Sequence, residues 1–280
     1  MSNKFPFTRR HFVAGSLAIA ATSRLQLAAQ TLGLAPGTQV CKLNAEQEQG
    51  PFYVADELLR SDIVEGKPGI PLALRIVVMD GRSCKPLTNA AVDIWHCDAL
   101  GLYSGFTKQN PMGPGGPPPA GPPPEMMGPP PENHPTDAFT FLRGIQLTDT
   151  SGAVAFQTIF PGYYMGRTNH IHFKVRVGGS ASQKTYKAGH TSHTGQLFFP
   201  EELAVKLMEQ EPYRSHKIHR TTQAEDHVYG DQHGELSVVR VEPASLAGSQ
   251  GFRAELIAAV DPSATPGPVG PMGGPPRTRR

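Results

Sequence analysis

The chain has 280 residues, a formal net charge of +2 and a hydrophobic content of 38%, with 30 glycines and 28 prolines. A net charge this small argues against binding to nucleic acid or to an anionic membrane surface. The sequence contains neither a P-loop nor a dinucleotide-binding glycine pattern. The length fits one large β domain or two smaller domains.

The N-terminal segment, residues 1–29, is predicted to be an export signal rather than part of the fold. Arg9 and Arg10 precede the apolar stretch VAGSLAIAA, which is too short for a permanent membrane span. Paired arginines in this position are typical of a twin-arginine signal. We expect cleavage near Ala28 and Ala29 and a periplasmic or secreted mature protein. The alternative is an uncleaved N-terminus that is basic by chance.

The three cysteines are Cys41, Cys84 and Cys97. Disulfides persist in exported proteins, and an odd number of cysteines leaves one thiol over. Cys84 lies in a predicted turn at residues 80–86, whereas Cys97 lies within the run WHCD, which we expect to be buried. We therefore predict a Cys41–Cys84 disulfide and a buried free thiol at Cys97.

Short strands with turn residues between them predict a mainly β chain, an antiparallel β-sandwich with short helices. The strand-like runs lie at residues 72–79, 153–160 and 172–177, and the last alternates apolar with polar side chains. A short helix is predicted at residues 200–208, where two glutamates suit the positive end of the helix dipole.

Two segments rich in Pro and Gly, residues 110–136 and 261–280, are unsuited to packing a core and are predicted to be disordered. The folded domain is therefore placed at residues 38–260, with the first segment as an insertion. Because this insertion closely follows Tyr103, it emerges near the site described next. It either shapes access to that site or has no catalytic role.

The run PGYYMGRTNHIHF at residues 161–173 is the most informative stretch. Its end alternates as a strand does, which places His170 and His172 on the same face. Two imidazoles and a phenol from Tyr163 or Tyr164 can converge on one metal ion. This set favours ferric iron over zinc, because zinc sites use mainly Cys, His and carboxylates, whereas a phenolate suits Fe(III). The alternative is a half-buried strand whose histidines only make hydrogen bonds.

A second informative stretch is AVDIWHCDALGLYSG at residues 91–105, in which a predicted strand is followed by a turn that presents Tyr103. Together the two stretches match the patterns D-I-W-x-x-D-A-x-G-x-Y and P-G-x-Y-x-x-R-x-x-H-I-H-F. These patterns are typical of the intradiol ring-cleavage dioxygenases, the family of the catechol and protocatechuate 3,4-dioxygenases. The chain resembles this family from about Cys41 to Phe199, including the run EQGPFY at residues 48–53.

The resemblance implies a β-sandwich with non-haem Fe(III) held by two tyrosines and two histidines. By position, the implied ligands are Tyr103, Tyr164, His170 and His172. Tyr164, rather than its neighbour Tyr163, corresponds to the family's second tyrosine ligand, which leaves the iron on substrate binding and helps to take up a proton. Arg167 corresponds to an arginine over the substrate ring, where a guanidinium would stabilise developing negative charge. Gln196 resembles a glutamine that lines the same pocket.

The implied activity is the insertion of both atoms of O2 into a small aromatic 1,2-diol between its hydroxylated carbons. The product is a cis,cis-muconate-type diacid. The sequence leaves open which catechol derivative is the substrate. We expect a monomer or a homodimer, with no nucleic-acid partner.

Two other functions are weighed against this one. A cupin-like metalloenzyme also begins its metal motif with His-x-His, but it needs a carboxylate three or four residues later, and residues 174–177 supply none. A catalytically decayed β-sandwich could instead survive as a small-molecule-binding protein; the presence of all four ligand types argues against decay. The remaining candidates are predicted to be structural or exposed, or to cap turns and orient ligands: His96, His190, His193, Asp93 and Asp98.

Overall fold

A computed structural model describes residues 41–55, 58–108 and 134–269 of the chain. The predicted export signal, most of the predicted insertion and the last residues of the predicted tail lie outside these ranges. The described part contains nine strands: β1 Pro71–Asp80, β2 Lys85–Pro86, β3 Ala91–Trp95, β4 Arg143–Leu147, β5 Ala153–Ile159, β6 His170–Ser182, β7 Thr185–Phe198, β8 Arg240–Leu246 and β9 Ser249–Val260.

The strands form two sheets, which confirms the predicted β-sandwich. One sheet has the order β2-β1-β9-β8, with β5 also paired to β1, and the other has the order β4-β3-β6-β7. All pairs are antiparallel except β1 with β9, which run parallel. This exception to the antiparallel expectation involves two strands from opposite ends of the domain, which no hairpin constrains to run in opposite directions.

The hydrophobic core lies between the two sheets. It is built from alternate residues of strands in both, because successive side chains of a strand point to opposite faces. In the first sheet these include Leu72, Leu74 and Ile76 of β1 and Leu256 of β9; in the second they include Val92, Ile94, Ile171, Phe173, Val175 and Leu197. All of these side chains are buried.

Two short helices follow β7. The first, α1, spans Glu201–Met208 as predicted and buries Ala204, Leu207 and Met208. The second, α2, spans His227–Asp231, and the Asp226 side chain caps it by accepting hydrogen bonds from the backbone N–H groups of its first residues. Two single 3₁₀ turns, Tyr213–Ser215 and Gly234–Ser237, flank α2. Within the described ranges, no helix is long and apolar enough to cross a membrane.

Residues 41–55 form an extended segment without helix or strand, called here the N-terminal arm. The predicted disulfide Cys41–Cys84 is present and ties the start of the arm to the turn after β1. Further along, the Gln47 backbone N–H donates to the carbonyl of Thr194 at 2.9 Å. The arm is therefore held against the β7 edge of the second sheet. Cys97 is a buried free thiol, also as predicted.

The described part of the predicted C-terminal tail, residues 261–269, makes contacts with the domain. Arg82 donates to the Asp261 carboxylate at 2.8 Å, and the carbonyl of Pro262 accepts a hydrogen bond from His190 at 3.1 Å.

Candidate active site

Strand β6 has two buried faces of opposite chemistry. Ile171, Phe173 and Val175 point into the core between the sheets. His170 and His172, on the other face, are also buried. The predicted alternation is therefore confirmed, and this second face provides two neighbouring imidazoles that do not belong to the hydrophobic core.

The two imidazoles converge with one phenol. His170 donates from Nδ1 to the carbonyl of Thr168 at 2.7 Å, so its Nε2 carries a lone pair when the ring is neutral. That Nε2 lies 3.1 Å from Nε2 of His172 and 3.4 Å from Oη of Tyr103. Three potential donor atoms from β6 and the loop after β3 thus gather at one point.

The ring of His172 is held on both sides. Trp95, its neighbour across the β3–β6 pairing, stacks on it with centroids 4.8 Å apart and planes 5° apart. On another side lies Gly50 of the N-terminal arm, with φ of +68°, where a Cβ would come within 3.2 Å of His172 Cε1. Glycine is favoured there both by the backbone conformation and by the close approach to the ring.

Tyr164 completes the cluster, whereas Tyr163 does not. The Tyr164 ring makes edge contacts with the rings of Tyr103 and His170, each with centroids 5.7 Å apart. The hydroxyl of Tyr163 instead donates towards the backbone carbonyls of His216 and Ile218, at 3.3 and 3.4 Å. The structure therefore brings together the four side chains implied by the sequence patterns, including the preferred tyrosine.

Arg167 lies beside the cluster and has partners at all three of its nitrogens. Nε donates to both carboxylate oxygens of Asp226, at 3.1 and 3.2 Å. Nη2 donates to the side-chain oxygen of Gln196, and Nη1 lies 3.5 Å from the Tyr164 hydroxyl and 3.9 Å from the Glu48 carboxylate. A guanidinium with this many partners has a fixed position and orientation.

The electrostatics follow from this burial. Burial lowers the Arg167 pKa, but the neighbouring Tyr164, Asp226 and Glu48 outweigh it, so the pKa lies above its ordinary value. Burial raises the pKa of Asp226, but Arg167 and the hydrogen bonds from the backbone N–H groups of Thr168 and Tyr229 together outweigh this effect, and the pKa falls below its usual range. The pair is therefore charged at neutral pH.

The four clustered side chains are uncharged in the polypeptide at neutral pH. Burial lowers the pKa of His170 to about 3, with a further contribution from Arg167, and lowers that of His172 well below its usual value. Burial raises the pKa of Tyr164 to about 12, although Arg167 opposes the rise, and that of Tyr103 well above its ordinary value. Neutral imidazoles are the form that binds metals, and phenols that become phenolates release protons to do so.

Comparisons with known proteins identify the family. No family model matches the chain. A solved structure, an intradiol ring-cleavage dioxygenase from Tetranychus urticae, is 30% identical with a TM-score of 0.67; the match covers 81% of this chain and 98% of that one. The chain belongs to the intradiol ring-cleavage dioxygenase family. Two curated relatives are each 30% identical: catechol 1,2-dioxygenase 2 of Acinetobacter lwoffii over 155 residues, and the protocatechuate 3,4-dioxygenase beta chain of Burkholderia cepacia over 149 residues. The matches span only 46% and 54% of the lengths of these two relatives.

The donor set of this intradiol-family chain fits a single metal cation. Ligand atoms at right angles around a metal, with bonds of about 2.1 Å, lie about 3 Å apart, and the two His Nε2 atoms are 3.1 Å apart. Among the described residues, no three His, Cys, Asp or Glu side chains gather at one metal site. A metal at this point therefore requires the tyrosines, and hard phenolate oxygens favour Fe(III).

Other histidines considered from the sequence have partners elsewhere. His96 is buried and bonds Cys97 O at 2.8 Å and Thr158 Oγ1 at 2.7 Å. His193 contacts the Glu46 carboxylate at 2.6 Å, and His190 bonds the start of the tail. These contacts agree with the structural roles predicted for them.

The two aspartates that flank the tyrosine motif have different roles. Asp98 caps the turn before Tyr103, because its Oδ1 accepts from the backbone N–H groups of Leu100 and Leu102, at 2.9 and 3.0 Å. Asp93 is buried and accepts a hydrogen bond from the Tyr53 hydroxyl at 2.9 Å. Neither aspartate contacts the donor atoms of the clustered tyrosines and histidines.

Sequence reasoning missed two residues of the site. Asp226 lies 59 residues after Arg167, and its position before α2 indicates only a helix cap. Glu48 lies in the recognised EQGPFY run, but nothing in the pattern places its side chain beside Arg167. Both contacts depend on how distant segments fold together.

Proposed function

We propose that this protein is a non-haem Fe(III) intradiol dioxygenase. It would insert both atoms of O2 into a catechol-type ring between the two hydroxylated carbons and yield a cis,cis-muconate-type diacid. The observation that carries the proposal is that Oη of Tyr103 and Nε2 of His172 both lie within 3.4 Å of Nε2 of His170, with the Tyr164 ring packed against the rings of Tyr103 and His170. The membership of the chain in the family supports the same activity.

The residues proposed to hold the iron are Tyr103, Tyr164, His170 and His172. Bound ferric iron would supply a Lewis acid that lowers the pKa of both hydroxyls of a 1,2-diol. The contact between the His170 Nδ1 and the Thr168 carbonyl fixes the ring so that Nε2 faces the site. The stack on Trp95 does the same for His172 by packing.

Tyr164 and Arg167 are proposed to handle protons and charge. Because burial raises the Tyr164 pKa to about 12, the phenolate that Tyr164 would present to the metal is a base strong enough to take up one of the protons lost by the diol and become a neutral phenol. Arg167, 3.5 Å away, stabilises the negative charge that develops on the ring and on the attacking dioxygen. Gln196 and Asp226 keep the guanidinium in place, so that it needs no reorganisation during the reaction.

The test is a visible spectrum of the iron-loaded protein, repeated after anaerobic addition of catechol. A tyrosinate–Fe(III) site gives a broad visible band that shifts to longer wavelength when the diol binds. Admission of air should then bleach the shifted band and release a product that absorbs in the ultraviolet. A protein that stays colourless after ferric reconstitution contradicts the ligand assignment and favours a β-sandwich binding protein.

Export through the twin-arginine route to the periplasm or medium is also proposed. The signal lies outside the described residues, and the support is the disulfide Cys41–Cys84, because such bonds persist in oxidising compartments. N-terminal sequencing of the mature protein should show the loss of residues 1–29, and an intact Met1 would contradict it. The proposed assembly is a monomer or homodimer, which light scattering after size exclusion measures.

A further inference from the structure

Glu48 is a carboxylate at the edge of the site to which the proposed reaction assigns no role. Its side chain is 13% exposed and lies 3.9 Å from Nη1 of Arg167. On its other side, 3.7 Å away, is Nε2 of His227, whose side chain is 41% exposed. The carboxylate therefore stands between the buried guanidinium and the solvent.

The backbone of Glu48 is fixed, but its carboxylate has unused acceptor capacity. Its N–H donates to the Gln232 side chain at 2.8 Å, and its carbonyl accepts from Nε2 of Gln196 at 2.9 Å. Among the residues that the structure describes, the carboxylate oxygens have only the two ionic contacts, both longer than a hydrogen bond. This partly exposed carboxylate can therefore accept a hydrogen bond from a donor on a ligand in place of water.

The charges around Arg167 leave an excess of negative charge on this side of the site. Every nitrogen of the guanidinium already contacts a protein group, and Asp226 balances its positive charge through a bifurcated hydrogen bond from Nε to both carboxylate oxygens. Glu48 adds a second negative charge. A carboxylate on a substrate ring near Glu48 would be repelled by this second negative charge, whereas an ammonium group would be attracted to it.

We propose that Glu48 is a specificity-determining residue. It directs the site towards 1,2-diol rings with an uncharged or cationic, hydrogen-bond-donating substituent and against rings that carry a carboxylate. This inference rests on the proposed ring-cleavage function. The charge of the iron and of the two diol oxygens is common to all such substrates, so it cancels when ring substituents are compared.

The size of the effect follows from Coulomb's law. At an effective dielectric constant of about 30, between the values for a protein surface and for water, two unit charges roughly 8 Å apart correspond to a factor of about ten in affinity. The exposed side of His227 admits solvent and salt, which reduces this factor at high ionic strength. We therefore expect the discrimination to be strongest at low salt.

The experiment uses three rings of similar size: 4-methylcatechol (neutral), 3,4-dihydroxybenzoate (anionic) and 4-(2-aminoethyl)catechol (cationic). Their dissociation constants are measured anaerobically by calorimetry on the iron-loaded wild type, on Glu48→Gln and on Glu202→Gln. Glu202 lies exposed on α1 and controls for the loss of one negative charge elsewhere. The ratio of variant to wild type for each ring removes the intrinsic differences between the rings.

For Glu48→Gln we expect about tenfold tighter binding of the benzoate, about tenfold weaker binding of the aminoethyl ring and less than a twofold change for methylcatechol. The Glu202→Gln control should change none of the three. Equal factors for all three rings in Glu48→Gln would overturn the inference.

Turnover of the same rings in air separates this inference from the proposed function. If the rings bind in the expected order of charge but none is cleaved, the ring-cleavage proposal fails and the role of Glu48 stands. If all three rings are cleaved but their order of binding does not depend on Glu48, the ring-cleavage proposal stands and the proposed role of Glu48 fails.

Discussion

The two faces of β6 show how one strand supports both the fold and the site. Ile171, Phe173 and Val175 face the first sheet and complete an apolar core. Their neighbours His170 and His172 are equally buried, but they are polar and point to the opposite side. Burial stabilises the first face, whereas on the second it costs free energy unless the polar atoms find partners.

The polar face is kept buried by the N-terminal arm. Gln49 accepts a hydrogen bond from Lys174, Tyr53 donates to Asp93, and the Gln47 side chain accepts from the Gln196 backbone N–H at 2.6 Å. The arm therefore supplies partners that the sheet alone lacks. The comparison teaches that substitutions on the inner face should act on stability, and those on the outer face on chemistry.

The largest effect is expected at His172. The change His172→Ala removes one of the proposed iron ligands, so we expect the visible band to disappear and ring cleavage to fall at least about a thousandfold. The free energy of unfolding of the metal-free protein should change by less than about 2 kcal/mol. Iron analysis, activity and urea unfolding measure the three quantities. A variant that keeps both its iron and its activity would contradict the assignment of the chemistry to the outer face of β6.

Phe173→Ala tests the inner face one residue further along. Truncation of a fully buried phenylalanine is expected to cost about 3–5 kcal/mol of unfolding free energy. The remaining folded, iron-loaded fraction should keep its kcat within about threefold. Urea unfolding with parallel activity assays checks this. A large loss of kcat with an unchanged unfolding free energy would contradict the assignment of stability to the inner face of β6.

The next effect concerns Asp226, which acts through Arg167. Asn retains an acceptor for the α2 cap, so Asp226→Asn removes the charge but preserves the helix start. We expect kcat to fall about tenfold to a hundredfold while the KM for catechol changes less than threefold. Asp231→Asn, at the other end of α2, is the matched control. An equal fall in iron content would show that the residue is merely structural.

The smallest effect is expected from Asp93 on the polar face. Burial raises its pKa from 3.8 to about 6, although Tyr53 and Lys174 oppose the rise. The folded protein thus holds this proton more tightly than the unfolded chain. The stabilisation is present below about pH 4 and lost as the pH rises through 6. The unfolding free energy of the wild type should therefore fall across this window by about 1–3 kcal/mol relative to that of Asp93→Asn. If the unfolding free energies of the two proteins change equally with pH across this window, the raised pKa of Asp93 is contradicted.

The sequence predicted those parts of the fold and site that local pattern determines. Alternation placed the two histidines on one face of β6, and the motif that ends in Tyr103 marked the loop facing them. The pairing of Cys41 with Cys84 followed from the expected burial of Cys97. The contacts of Asp226 and Glu48 with Arg167 could not be predicted in this way, because they join segments with no shared periodicity. The parallel pairing of β1 with β9 was missed for the same reason.

The parallel pairing of β1 with β9 affects how the domain folds during its synthesis. Arg75 of β1 and Glu255 of β9 form an ion pair although they lie 180 residues apart. During synthesis β1 emerges early, but its β9 neighbour leaves the ribosome only when nearly the whole domain has been translated. Until then one edge of β1 lacks its partner strand, which exposes the nascent chain to aggregation. Pairings of such long range also slow folding. A premature stop before Ser249 removes β9, the strand that joins β1 to β8.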